Sequence, residues 1–160
     1  MVTSLDTSIS PTKTLRFAEL HCKSNFSFLK SASHPEELVE QAYNLGYEAI
    51  AITDECSVTG IVKAHIKARE LGIKLIIGAE FNANLNTPPD TTETICETTI
   101  KGEETMHNMP PPLKLIVLAP SRDGYTQLCQ LITHSRRQSP KGNYHFKLSD
   151  LQQCSNTCTI

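Results

Sequence analysis

Three side chains of this 160-residue sequence could do chemistry together: His21, Asp54 and Glu80. Each stands at or near the end of a short apolar run. Imidazole and carboxylate ligands suit zinc, manganese or iron, and a metal so held could activate a water for phosphoester hydrolysis. Glu55 could add a ligand. The same residues have a plainer reading. Strand ends are polar because they meet solvent, and Asp54 would then cap the helix or loop that follows. Lys23 and Lys30 weigh against a metal, because ammonium groups near a rim repel a cation. His34 reads as part of a helix start. His65, His107, His134 and His145 have no partner at a metal-motif spacing. Arg122, Arg136, Arg137, Lys141 and Lys147 form a modest basic zone. Arg136, Arg137 and Lys141 could touch a nucleic-acid backbone, although such clusters usually sit at a solvated helix end near the negative end of its dipole. There is no phosphate-binding Gly-rich loop, nucleophile elbow or dinucleotide fingerprint.

The elements that must position these groups follow from periodicity. Met1 to Thr14 is rich in Ser and Thr and reads as a disordered leader, with a domain from residue 15 to 160. Leu15 to Cys22 is predicted as a buried first strand running into a polar loop. Ser33 and Glu36 have capping-box spacing around Pro35, so a helix starts there. Leu38, Val39, Ala42 and Leu45 give it an apolar face, and Gly46 ends it. Ala49 to Thr53 is a continuous apolar run, as expected of a strand buried on both faces. A second helix spans about Val58 to Leu71, with Ile61, Val62, Ile66 and Ala68 inward. Ile73 to Phe81 is a third strand. This β-α-β-α-β order predicts parallel strands with right-handed crossovers, and brings His21, Asp54 and Glu80 to one rim.

Asn82 to Pro112 breaks that rhythm. Its Thr, Asn, Glu and Pro content reads as a polar insertion or hairpin excursion, with a possible small strand at Ile95 to Ile100. Leu113 to Leu118 is expected as a fourth buried strand. Ser121 to Arg137 is a third helix, with Tyr125, Leu128, Leu131 and Ile132 inward. Gln138 to Lys147 reads as a polar, basic loop, and Ser149 to Gln152 as another helix start. Four strands do not close a barrel, so the pattern reads either as an open sheet with a ragged end or, the favoured reading, as the opening part of a longer α/β repeat.

Composition excludes several classes. The net charge of −2 gives no global nucleic-acid footprint. No apolar run is long enough to span a membrane, and the first residues do not have the pattern of a signal peptide. Cys22, Cys56, Cys96, Cys129, Cys154 and Cys158 are scattered without a Cys-x-x-Cys pair, which favours free thiols in a reducing cytosol.

Several stretches, taken in order, resemble a known family. Leu20-His21-Cys22-Lys23-Ser24-Asn25-Phe26-Ser27-Phe28-Leu29, Ala51-Ile52-Thr53-Asp54-Glu55 and Ile77-Gly78-Ala79-Glu80-Phe81 look like the first motifs of the PHP (polymerase and histidinol phosphatase) domain. Ala32 to Leu38, Ile52 to Ser57, Leu118-Ala119-Pro120, Gly124-Tyr125 and Pro140 to Tyr144 resemble its form at the N-terminus of bacterial C-family DNA polymerases, in the error-prone branch of the polymerase III alpha subunit. The resemblance runs from about Arg16 to Leu151. It implies an incomplete PHP-type (β/α)7-like barrel, with parallel strands and helices outside.

It also implies a metal rim, from which this sequence departs. The first motif, commonly His-x-His, is His21-Cys22-Lys23. Lys30 stands where a carboxylate often follows. The second motif, commonly Thr-Asp-His, is Thr53-Asp54-Glu55. Only His21, Asp54 and Glu80 keep ligand-type side chains, and the family's later ligands fall beyond Ile160. The implied function is that of an N-terminal fragment, inactive by itself, of a DNA polymerase for damage-tolerant replication and repair. No catalytic residue falls in this segment, because the polymerase carboxylates that hold magnesium belong to a separate domain. The implied partners are the rest of the polymerase chain, DNA through it, and other replication or damage-tolerance proteins, all in the cytoplasm. Two alternatives stay open. One is a phosphoesterase or nuclease using zinc or manganese on His21, Asp54 and Glu80. The other is a non-catalytic interaction module.

Overall fold

A computed structural model describes residues 16–83, 113–153 and 158–160. The expected leader, most of the polar insertion, Cys96, Cys154 and His107 lie outside the described residues. Three parallel strands come first: β1 (Ala18–Cys22), β2 (Ala49–Glu55) and β3 (Lys74–Ala83). Helices α1 (Pro35–Asn44) and α2 (Ile61–Leu71) make the two crossovers. β4 (Leu113–Ala119), α3 (Arg122–Arg137) and a short 3-10 helix (Leu148–Gln153) follow. The sheet order is β1-β2-β3-β4.

β2 is buried from Ala49 to Asp54, as its continuous apolar run requires. β1 departs from expectation. Among the described residues it is the sheet edge, so its side chains are half-buried or exposed rather than core, with Leu20 47% exposed. The α1 cap moves by one residue. Pro35 takes the first helical position, so His34 is the cap, and its N–H donates to Glu37 Oε2 at 2.9 Å. Leu45 falls just past the helix and is exposed. In α2 the buried stripe is Ile61, Ala64 and Ala68, at spacings of three and four, which turns Val62 and Ile66 to the outside. In α3 the inward residues include Leu128 and Leu131, while Tyr125 stays at the surface.

β4 also departs from expectation. It is antiparallel to β3, with Ala83 opposite Leu113 and Ile77 opposite Ala119, and only Val117 in it is fully buried. The crossovers through α1 and α2 return the chain to the same end of the sheet each time. β3 instead runs on to Ala83, and β4 starts beside that residue and runs back antiparallel to it. The far edge of β4 is partly covered, since Leu118 and Thr159 exchange backbone hydrogen bonds of 2.7 and 2.9 Å.

The pleat decides where the core lies. Ile50 and Ile52 of β2 pack with Val39 and Ala42 of α1 and with Ile61, Ala64 and Ala68 of α2. Farther along the same face, Ala79, Phe81 and Ala83 of β3 and Val117 of β4 pack with Leu128 and Leu131 of α3. Phe146, from the segment expected to be a polar loop, joins them and stacks on Phe81 with ring centroids 4.8 Å apart. Helices α1, α2 and α3 thus cover one face. The alternate residues, including Glu55, Gly78, Glu80 and Asn82, point to the other. Gly78 lets the strands close there, because a Cβ on it would sit 2.7 Å from Leu118 Cδ2 and 2.9 Å from the Val117 carbonyl oxygen. Gly78→Ala is therefore expected to destabilise the chain by about 2 kcal/mol, measured by urea unfolding.

Candidate functional site

The three candidate ligands do reach the same end of the sheet, but the pleat divides them. Glu55 and Glu80 are register partners on β2 and β3, so their carboxylates share one face. Asp54 pairs with Ala79, one step back, and points to the opposite face. The loop after β1 meets both faces.

On the helix side, Asp54 is 1% exposed and its oxygens are spoken for. The Ser24 N–H and the Ser27 hydroxyl donate to Oδ1, and the Ser24 hydroxyl donates to Oδ2, each at 2.7 Å. Ser27 Oγ in turn accepts from the Glu55 N–H at 3.1 Å. Asp54 thus caps the loop that follows β1, across 27 to 30 positions of the chain, rather than the segment that follows Asp54 itself.

On the open side, Glu80 is fully buried. Its Oε2 lies 2.7 Å from His21 Nε2, and the Lys23 ammonium donates to Oε1 at 2.6 Å. Burial pushes the Glu80 carboxyl up, but the Lys23 and His21 contacts outweigh it and hold the group below the usual carboxylate range. Beside it, Glu55 pairs with Lys30, accepts from Asn82 Nδ2 at 2.6 Å and accepts from the Tyr144 hydroxyl at 2.9 Å. Burial raises the Glu55 carboxyl too, and Lys30 and Tyr144 bring it down below the ordinary value.

The turn that follows β2 is strained and clamped. Cys56 is buried with φ of 44°, a region that non-glycine residues rarely take. Its N–H donates to the Glu80 carbonyl at 2.8 Å. Its carbonyl accepts from Arg136 Nε and Nη2 at 3.2 and 3.1 Å. The Arg136 guanidinium also lies 5.8 Å from the centre of the Tyr144 ring. Of the three basic residues considered for nucleic acid, Arg136 is thus engaged within the chain, while Arg137 and Lys141 are exposed. Burial pushes the Cys22 and Cys56 thiols up to about 11, so both behave as small apolar groups. The described cysteines Cys22, Cys56, Cys129 and Cys158 form no disulfide.

Sequence reasoning found His21, Glu80 and both lysines, and underrated the rest of the rim. Ser24 and Ser27 sit in a polar loop whose spacing carries no signal for a partner on β2. Asn82 and Tyr144 meet Glu55 across 27 and 89 positions, which only the fold brings together.

A one-sided layer of helices on a strand rim of acidic and imidazole groups defines an α/β protein of the kind that builds sites at strand ends. Residues 19–158 match the PHP domain, and the chain belongs to that family. It is 46% identical over 135 residues to an error-prone DNA polymerase of Ralstonia nicotianae, covering 84% of this chain and 11% of that one. It is 44% identical over 146 residues to an error-prone DNA polymerase of Teredinibacter turnerae, covering 91% and 12%. The chain thus spans about a tenth of the length of these curated relatives. Among solved structures, an amidohydrolase from Chromobacterium violaceum superposes with a TM-score of 0.49 at 17% identity, over 75% of this chain and 33% of its own.

A divalent cation, which the family resemblance implies, does not fit these side chains as they stand. Among the described residues, no three His, Cys, Asp or Glu side chains converge in a metal-holding group. The Lys23 ammonium already lies against Glu80, and both Asp54 oxygens are engaged by serine donors on the other face. A divalent ion about 4 Å from an ammonium would meet roughly 8 kcal/mol of repulsion at an effective dielectric of 20.

Two outcomes follow from this geometry. Ser27→Ala removes a donor to Asp54 and the acceptor of the Glu55 N–H, and is expected to cost about 2 kcal/mol in urea unfolding. Glu80 and Glu55 have carboxyls lower in the folded chain than in the unfolded one. Their stabilisation is present above the unfolded value of about 4.3 and is lost as pH falls through the folded value. A pH series of unfolding midpoints should show stability falling on acidification below about pH 4, with a shallower fall in Glu80→Gln.

Proposed function

We propose that this chain is the N-terminal PHP module of an error-prone DNA polymerase, with a structural role and no catalysis of its own. The observation that carries the reading is the ordered likeness of most of the chain to one short part of such polymerases, at 46% identity over 135 residues. The rim geometry supports the non-catalytic role. Its buried carboxylate is neutralised by an internal ammonium, which leaves no open acid pair to hold a reacting phosphate or its metal. In this reading the parent protein adds nucleotides to a primer during damage-tolerant replication and repair, and magnesium acts in its separate polymerase domain. The rest of the polymerase chain is the first partner, and DNA is reached through it, in the cytoplasm. Among the described residues no helix is long and apolar enough to cross a membrane. Arg137 and Lys141 would offer the module only weak contacts to a nucleic-acid backbone.

The purified 160-residue chain should extend no primer in a gel assay with magnesium and all four nucleotides. It should also release no phosphate from a simple phosphomonoester with manganese or zinc. Robust extension would overturn the module reading. Phosphoester turnover lost in Glu80→Gln would instead establish the phosphoesterase alternative.

A further inference from the structure

We propose that Lys23 and Lys30 are the rim's resident cations: their ammonium groups take the place of bound metal as the positive charges that hold the strand ends together. The inference rests on the rim geometry alone and goes beyond the polymerase reading.

Both lysines belong to the loop after β1, and each reaches a different strand. Lys23 meets Glu80 of β3, and Lys30 meets Glu55 of β2. The first contact is the telling one. β1 and β3 are not neighbours, since β2 lies between them. Lys23 therefore spans the end of β2 and ties the edge strand to the third strand, which no backbone ladder can do. The β1–β2 ladder is itself irregular there, with a register shift between Glu19 and Cys22.

Burial makes the charge assignment specific. The Glu80 side chain is 0% exposed and the Lys23 side chain 18%, so this pair is screened far less than a surface pair. His21 Nε2 meets the second Glu80 oxygen, so both oxygens of the carboxylate have a partner within the chain. Glu55 is similarly surrounded by Lys30, Asn82 and Tyr144. A tethered ammonium also costs no ion-binding entropy and cannot be chelated away. The rim should therefore be indifferent to both metal and chelator.

The test combines thermal melting with Mn2+ uptake followed by electron paramagnetic resonance on the 160-residue chain. Excess EDTA or Mn2+ should leave the melting temperature unchanged, with no tightly held Mn2+. Lys23→Met should lower the melting temperature by about 10 °C, because it strands a buried carboxylate. Lys23→Met combined with Glu80→Gln should recover at least half of that loss, because no charge is then left alone. Lys74→Met, which removes an exposed pair with Glu48, should stay within about 1 °C of wild type.

A melting temperature that falls with EDTA would overturn the proposal. So would one Mn2+ per chain with a stabilisation lost in Glu80→Gln, or Lys23→Met melting like wild type. If Lys23→Met does not fold, the double variant decides. Its recovery supports the proposal, and its failure to fold overturns it.

Discussion

A carboxylate with no exposed surface must be neutralised, and much of the rim is arranged around that requirement. Glu80 stands on β3 beneath the loop that follows β1, out of reach of bulk water. Leaving its charge unpaired there would cost more than most single contacts in the chain contribute. Lys23 and His21 meet its two oxygens, and that requirement fixes where the loop after β1 can lie. The same loop then delivers Ser24 and Ser27 to Asp54 and Lys30 to Glu55. One short segment thus satisfies three acidic groups on two faces of the sheet.

Behind the rim, packing and strain reinforce that arrangement. The Glu80 carbonyl accepts the N–H of Cys56, whose left-handed backbone is an expensive conformation for a residue other than glycine. Arg136 reaches from the end of α3 to hold the Cys56 carbonyl, so the third helix braces the turn after β2. That contact depends on α3 lying against β3 and β4, which depends in turn on Leu128 and Leu131 meeting Phe81 and Val117. The rim and the core are therefore coupled, and a basic residue that could have served an outside partner instead serves the fold.

Much of the architecture was legible from the residues themselves. The continuous apolar run at Ala49 to Thr53 announces a strand buried on both faces. The stripes of α1 and α3 and the glycines after α1 and α2 mark their elements to within a few residues. The errors share one cause. The exposure of β1, the outward turn of Val62 and Ile66 and the inward turn of Phe146 are decided by which neighbours an element acquires. An apolar residue carries no record of that. The antiparallel course of β4 was hidden for the same reason, because an apolar strand reads alike in either direction.

The candidate site shows the division most sharply. The sequence by itself determined the chemical inventory of the rim: one imidazole, acidic groups at the ends of β2 and β3, and two lysines where cation ligands could have stood. That inventory already opposed a metal through its charges. Only the tertiary structure decided the pairing. Adjacent residues of a strand face opposite ways, so Asp54 is directed to the serine loop while Glu55 and its register partner Glu80 face the lysines. Residue types are written along the chain, whereas pleat and register belong to the paired sheet, and it is these that choose which charge meets which.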